Sequence, residues 1–160
     1  MASAQPAKKA ELTYEDEFER NYQKRIKKSR INGVYIPEDM SQCLLELTRL
    51  TDAEARTKFK VLEEEEAVRK IHFSLGRWII HNWGFYEGSR LSVAINKMGI
   101  SNPDDMAQFI IRSFHRSLNK KELKIKDQLE YYKELQVKRQ EEKKKKRKVI
   151  STTTRKRERN

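Results

Sequence analysis

One cysteine, three prolines and five glycines in 160 residues leave this chain few special constraints. A lone Cys43 excludes an intramolecular disulfide and a cysteine-based zinc site, and it fits a reducing compartment. No apolar run approaches the ~18 residues that a membrane span needs, so no membrane partner is expected. The opening residues, Met-Ala-Ser-Ala-Gln-Pro-Ala-Lys-Lys, lack the apolar stretch of a secretory signal, and the expected location is cytoplasmic. The metalloprotease HExxH, the GxSxG elbow, the phosphate-binding P-loop and the dinucleotide GxGxxG are all missing. No nucleophile paired with a base is legible, no cofactor or metal is implied, and an enzyme is the less favoured reading.

What the chain has in excess is positive charge, and it is unevenly placed. Residues 34–137 hold equal numbers of acidic and basic side chains, residues 1–33 come to +3, and residues 138–160 carry 12 basic against 3 acidic, which together make the net +12. A neutral body with a cationic tail predicts that attraction to polyanions is a property of the tail. The string Lys143, Lys144, Lys145, Lys146, Arg147, Lys148 reads as a nuclear-import-like signal, as an arm with affinity for nucleic acid, or as a solvated tail. No aromatic residue follows Tyr132, which argues against single-strand reading by base stacking.

Periodicity predicts an all-α fold, a compact bundle of about five to seven helices. The expected organisation is a disordered lead (1–10), an amphipathic helix (11–32), a helical domain (33–137) and a basic tail (138–160), extended helix or disordered. Tyr14, Phe18, Tyr22 and Ile26 fall every four residues on one stripe, and Asn32-Gly33 is expected to stop that helix. Pro37 is expected near the first turn of a helix buried through Met40, Leu44, Leu47 and Leu50, and Thr51 is expected to cap the next with Glu54. One continuous helix is predicted over Glu63–His81, with Trp78 largely buried on its core side. Ser89 and Asn102-Pro103 mark two further helix starts, and a last helix runs from about Lys124 until its apolar face fades near Lys138.

Few side chains invite a site. His72 and His81, nine residues apart on one helix, should face opposite sides and share no ligand. His115 lies on an amphipathic face. Four consecutive glutamates, Glu63–Glu66, point in four directions and suit a helix start better than a metal. The segment Trp83–Arg90 gathers two glycines, three aromatics and a cation. Arg77, His81, Trp83, Tyr86, Ser89 and Arg90 are therefore the candidate ligand- or partner-binding residues, with Ser89 and its helix start as anion donors. The alternative is a packed corner in which Gly84 and Gly88 only permit the turn.

Several strings recur together: Val34-Tyr35-Ile36-Pro37-Glu38-Asp39, Trp78…Trp83-Gly84, Gly88-Ser89-Arg90-Leu91 and Pro103-Asp104-Asp105-Met106, followed by His115 and Leu118-Asn119. In order and spacing they resemble a bacterial family of small helical domains of unknown function, over roughly residues 33–135. The resemblance implies a compact helical domain and a bacterial origin, which disfavours nuclear import, and it implies no activity. The expected function is that of a non-enzymatic domain binding an unidentified protein partner. The alternatives are non-specific nucleic-acid association through the tail, or an enzyme with an anion site at the Trp83–Arg90 loop.

Overall fold

Thr13 sets the first helix. In the computed structural model, which describes residues 11–158, its hydroxyl accepts from the Asp16 N–H (3.2 Å) while the Asp16 carboxylate accepts from the Thr13 N–H (3.1 Å). This reciprocal cap opens α1 (Tyr14–Arg25), shorter at both ends than the expected stretch. The lead at residues 1–10 lies outside the described residues. After α1 the chain reverses in a small hairpin, β1 (Arg30–Ile31) pairing antiparallel with β2 (Val34–Tyr35). Asn32 (φ 49°) and Gly33 (φ 79°) both take positive φ, as a two-residue primed turn requires. The Asn-Gly pair therefore closes a hairpin and does not end a helix.

Two helix starts lie one position from where they were expected, or further. α2 (Met40–Leu50) begins at an Asp39 cap whose carboxylate accepts from the Gln42 N–H (2.9 Å), leaving Pro37 buried before the helix. Its core side is Cys43 and Leu47, with Met40 and Leu44 half-buried and Leu50 41% exposed. Thr51 ends α2, its hydroxyl donating to the Leu47 carbonyl (2.6 Å), so Asp52 and not Thr51 caps α3 (Ala53–Lys60).

The expected single helix at 63–81 is interrupted. Capped by Glu63, α4 (Glu64–Ile71) passes into a π turn, His72–Gly76, before α5 (Arg77–Asn82). A π turn absorbs one extra residue, so everything after it is rotated by roughly 100° relative to an unbroken helix. Ala67 and Val68 face the core before the turn; Ile79, Ile80 and Trp83 face it afterwards. Trp78 is turned to a half-buried position, its ring edge-on to Trp83 at 5.9 Å between centroids. Trp83, fully buried, is the core indole, and the burial expected for Trp78 is corrected accordingly. Gly76 serves the turn by having no side chain, since a Cβ there would stand 2.9 Å from His72 Nδ1.

α6 (Arg90–Met98) starts at a Ser89–Ser92 capping box and closes at Gly99 (φ 113°). α7 (Pro103–Leu118) starts where Asn102 Oδ1 accepts from the Asp104 and Asp105 N–H groups (2.9 and 3.2 Å). It is the axis of the bundle. Met106, Phe109, Ile110 and Phe114 are buried on its expected face, and so are Ala107, Ile111, Arg112 and His115 around it, because α2, α3, α4 and α5 all pack on it. α8 (Ile125–Glu158) lies along the body through Leu129, Tyr132 and Leu135, with Tyr132 edge-on to Phe109 at 6.4 Å, and then leaves it. The class is all-α with one two-stranded hairpin, and with α4, the π turn and α5 taken as one interrupted helix the described residues form seven helices, as expected.

Candidate functional site

The Trp83–Arg90 loop is a packed corner more than an open site. Trp83 and Phe85 are buried in the core. Ser89, fully buried, accepts from the Ser92 N–H (3.2 Å) and donates its own N–H to Ser92 Oγ (2.9 Å), so its capping groups are engaged within the helix start. Arg90 donates to the Ile36 carbonyl (2.7 Å), pairs with Glu38 (3.2 Å) and lies over the Tyr35 ring (5.4 Å), which ties α6 to the hairpin. Gly88 (φ 95°) lets Tyr22 pack against its backbone, since a Cβ there would fall 2.4 Å from the ring. Arg25 completes the α1 contact by donating to the Gly88 carbonyl (3.0 Å) and pairing with Glu87 (3.1 Å). The anion donors expected at Ser89 and Arg90 are therefore occupied by the fold. Trp83, Ser89 and Arg90 are thus placed in the packing of the corner, with the Arg90 side chain paired to the hairpin and Glu38.

The other three candidates do gather, Arg77 and His81 because they lie one turn apart on α5. Arg77, His81 and Tyr86 line a surface cavity of about 340 Å³ with Ile80 and Asp104. In an unbroken helix His72 and His81 would point to opposite sides. The extra residue turns His81 round by roughly 100°; His72 Nε2 lies 3.2 Å from the Asp104 carboxylate, and His81 lines the cavity that Asp104 also borders. Asp104 was legible only as a helix-start acid, because its pairing with His72 is a contact between α7 and the π turn that periodicity does not reveal. Phe73, 66% exposed, extends the patch with the Arg77 guanidinium 5.5 Å above its ring. Tyr86 is 72% exposed. Among the described residues no group of three or more His, Cys, Asp or Glu is arranged to hold a metal ion.

A second polar cluster joins α4 to α7, and Gln128 links α8 to the body beside it. Arg112, 7% exposed, reaches Glu64 (3.1 Å) and Glu65, while Arg116 pairs with Glu64 (2.6 Å) and donates to the Leu123 carbonyl (2.7 Å). Hydrogen bonds from Arg116, then from Arg112, hold the Glu64 carboxyl below its usual range against the opposing effect of burial. Two of the four consecutive glutamates are thus ion-pair partners of residues further along the chain, Glu64 from 48 and 52 residues away and Glu65 from 47, as well as a helix start. Gln128 of α8 donates to Ser113 Oγ (3.2 Å) and to the Leu123 carbonyl (2.7 Å), and burial pushes the neighbouring Tyr132 phenol up. These long-range pairs leave no local mark in the sequence.

The last tie between α8 and the body is Arg139, which grips the 2%-exposed Asp105 with two hydrogen bonds (2.7 and 3.1 Å). From residue 140 through Glu158 every residue is exposed while the backbone remains helical. Lys143, Lys144, Lys145, Lys146, Arg147 and Lys148 all stand on this projecting part. Successive helical residues step by roughly 100°, so six in a row surround the axis and do not form a stripe.

The body enclosed by the hairpin and α8 matches a known family over residues 36–118, more than half of the chain. The chain belongs to the family described as Domain of unknown function (DUF6794). The DUF6794 match begins at the buried Ile36 and ends at Leu118, the last residue of α7. It takes in the π turn and the Asp104 patch, and it leaves out α1, the hairpin and all of α8. The match is narrower than the span of the resembling strings, and it bears out the resemblance to an uncharacterised domain family. No curated protein and no solved structure matches this chain. Among the described residues no helix is long and apolar enough to cross a membrane.

Proposed function

We propose that this protein is a non-enzymatic binding protein in which a DUF6794 body carries a cationic helix that engages polyanions. One observation supports this most: α8 continues helical past its Arg139–Asp105 anchor, with residues 140–158 exposed and six consecutive cations on them. A helix holding that many like charges repels itself, because Lys143–Arg147 and Lys144–Lys148 are neighbours one turn apart. A polyanion removes the repulsion and gains entropy from the counterions it releases. The body is neutral overall and does not oppose the approach.

A gel-shift series with full-length protein and a chain lacking residues 138–160 tests the reading. The full chain is expected to bind a polyanion at low salt, and the truncated chain to lose that binding. Equal binding by both, or none by either, contradicts it.

A second reading concerns protein docking at the Phe73–Arg77–Tyr86 patch. Exposed aromatic and arginine side chains are what binding hot spots use, and Tyr86, which lines the cavity with Arg77 and Asp104, and Phe73, under the Arg77 guanidinium, meet that description. This reading needs no contribution from the tail.

A further inference from the structure

Resting on the polyanion reading, we propose that α8 recognises B-form duplex DNA by lying in its major groove. The distribution of charge around the helix is the first reason. Lys143 to Lys148 occupy every side of the axis, whereas a flat anionic surface such as a lipid headgroup layer meets only one side and leaves the rest unpaired. A groove has phosphates along both walls. Dimensions agree with it, since a helix with its side chains is about 10–12 Å across and the B-form major groove is about 12 Å wide. The projecting part, residues 140–158, is about 28 Å long at about 1.5 Å per residue, the rise of roughly eight base pairs.

The alternatives each lack something the helix would have to supply. Single strands are held by aromatic stacking as well as charge, and no aromatic residue follows Tyr132. Duplex RNA presents a deep, narrow major groove that a helix does not enter. A membrane-surface helix needs an apolar face, and the projecting part offers only Val149 and Ile150, adjacent and pointing apart by roughly 100°. Sequence reading of the DNA should be weak. Lysine binds phosphate as a point charge, and the hydroxyls of Thr152, Thr153 and Thr154 donate back to the carbonyls of Lys148, Val149 and Ile150 (2.8, 2.9 and 3.0 Å).

The test uses the full chain, and a variant in which all six residues 143–148 are glutamine, which keeps helix propensity while removing charge. Probes of equal phosphate number are duplex DNA, duplex RNA and single-stranded DNA, with heparin and phosphatidylserine vesicles alongside. At about 0.1 M salt duplex DNA is expected to bind about 10-fold or more tighter than the other two nucleic acids. The glutamine variant should lose about 100-fold or more, as the removal of several phosphate contacts requires. Dimethyl sulfate should find guanine N7, a major-groove atom, protected in the complex. If heparin binds but N7 stays reactive, or if RNA, single strands or vesicles bind as tightly as duplex DNA, the DNA inference falls and the polyanion reading stands. If no polyanion binds even at low salt, both fall.

Discussion

Two tryptophans five residues apart have opposite fates, and the difference lies in one inserted residue. Trp83 has no exposed surface, whereas Trp78 sits half out beside it. Truncating a fully buried tryptophan costs about 3–5 kcal/mol, a large part of a small domain's stability. Trp83→Ala should therefore leave the body unfolded or molten at 25 °C. Trp78→Ala should retain a cooperative transition at a cost of about 1–3 kcal/mol. Thermal denaturation followed by circular dichroism compares them, and the opposite ranking would mean that the rotation at the π turn is wrong. The sequence could not reveal this, because Ile71, Leu75, Trp78 and Ile79 fit an unbroken helix as well as a bulged one. Only the register of Ile80 and Trp83 against α7 decides between them.

At the scale of elements, the caps were the most legible feature. Ser89, Asn102-Pro103 and Gly99 act where composition alone put them, since a cap depends on its own side chain and the next three residues. Thr51 gave way to Asp52 because its hydroxyl found the Leu47 carbonyl first. What stayed hidden was contact between elements, above all the Glu64–Arg112–Arg116 cluster joining α4 to α7. Because the Glu64 pKa is lowered in the folded state, its charge contributes stability above the usual glutamate value of 4.5, and that contribution is lost as the pH falls through and below it. Glu64→Gln should therefore be less stable by about 1–3 kcal/mol at pH 7, where buried Arg112 and half-buried Arg116 lose a charged partner. Its deficit should shrink on acidification towards pH 3. Urea denaturation at a series of pH values checks this, and a deficit independent of pH would show that packing and not charge joins these helices.

For the molecule as a whole, the all-α class and the separation of a neutral body from a cationic end were readable from composition and periodicity. The corner at Trp83–Arg90 was legible only as the alternative to a binding loop, because nothing local says that Arg90 is committed to Ile36 and Glu38, and the His72–Asp104 pair was not legible at all. The central claim is that affinity for polyanions resides in the projecting helix and is electrostatic. The most direct measurement is the affinity of the full chain for a duplex of about 20 base pairs as salt is raised from 50 to 200 mM. If several of the cations at residues 143–157 contact phosphate, log affinity should fall against log salt with a slope of about −5 to −7, and a chain without residues 138–160 should show no measurable binding. A slope near zero, or a truncated chain that binds as well as the full one, would contradict the account.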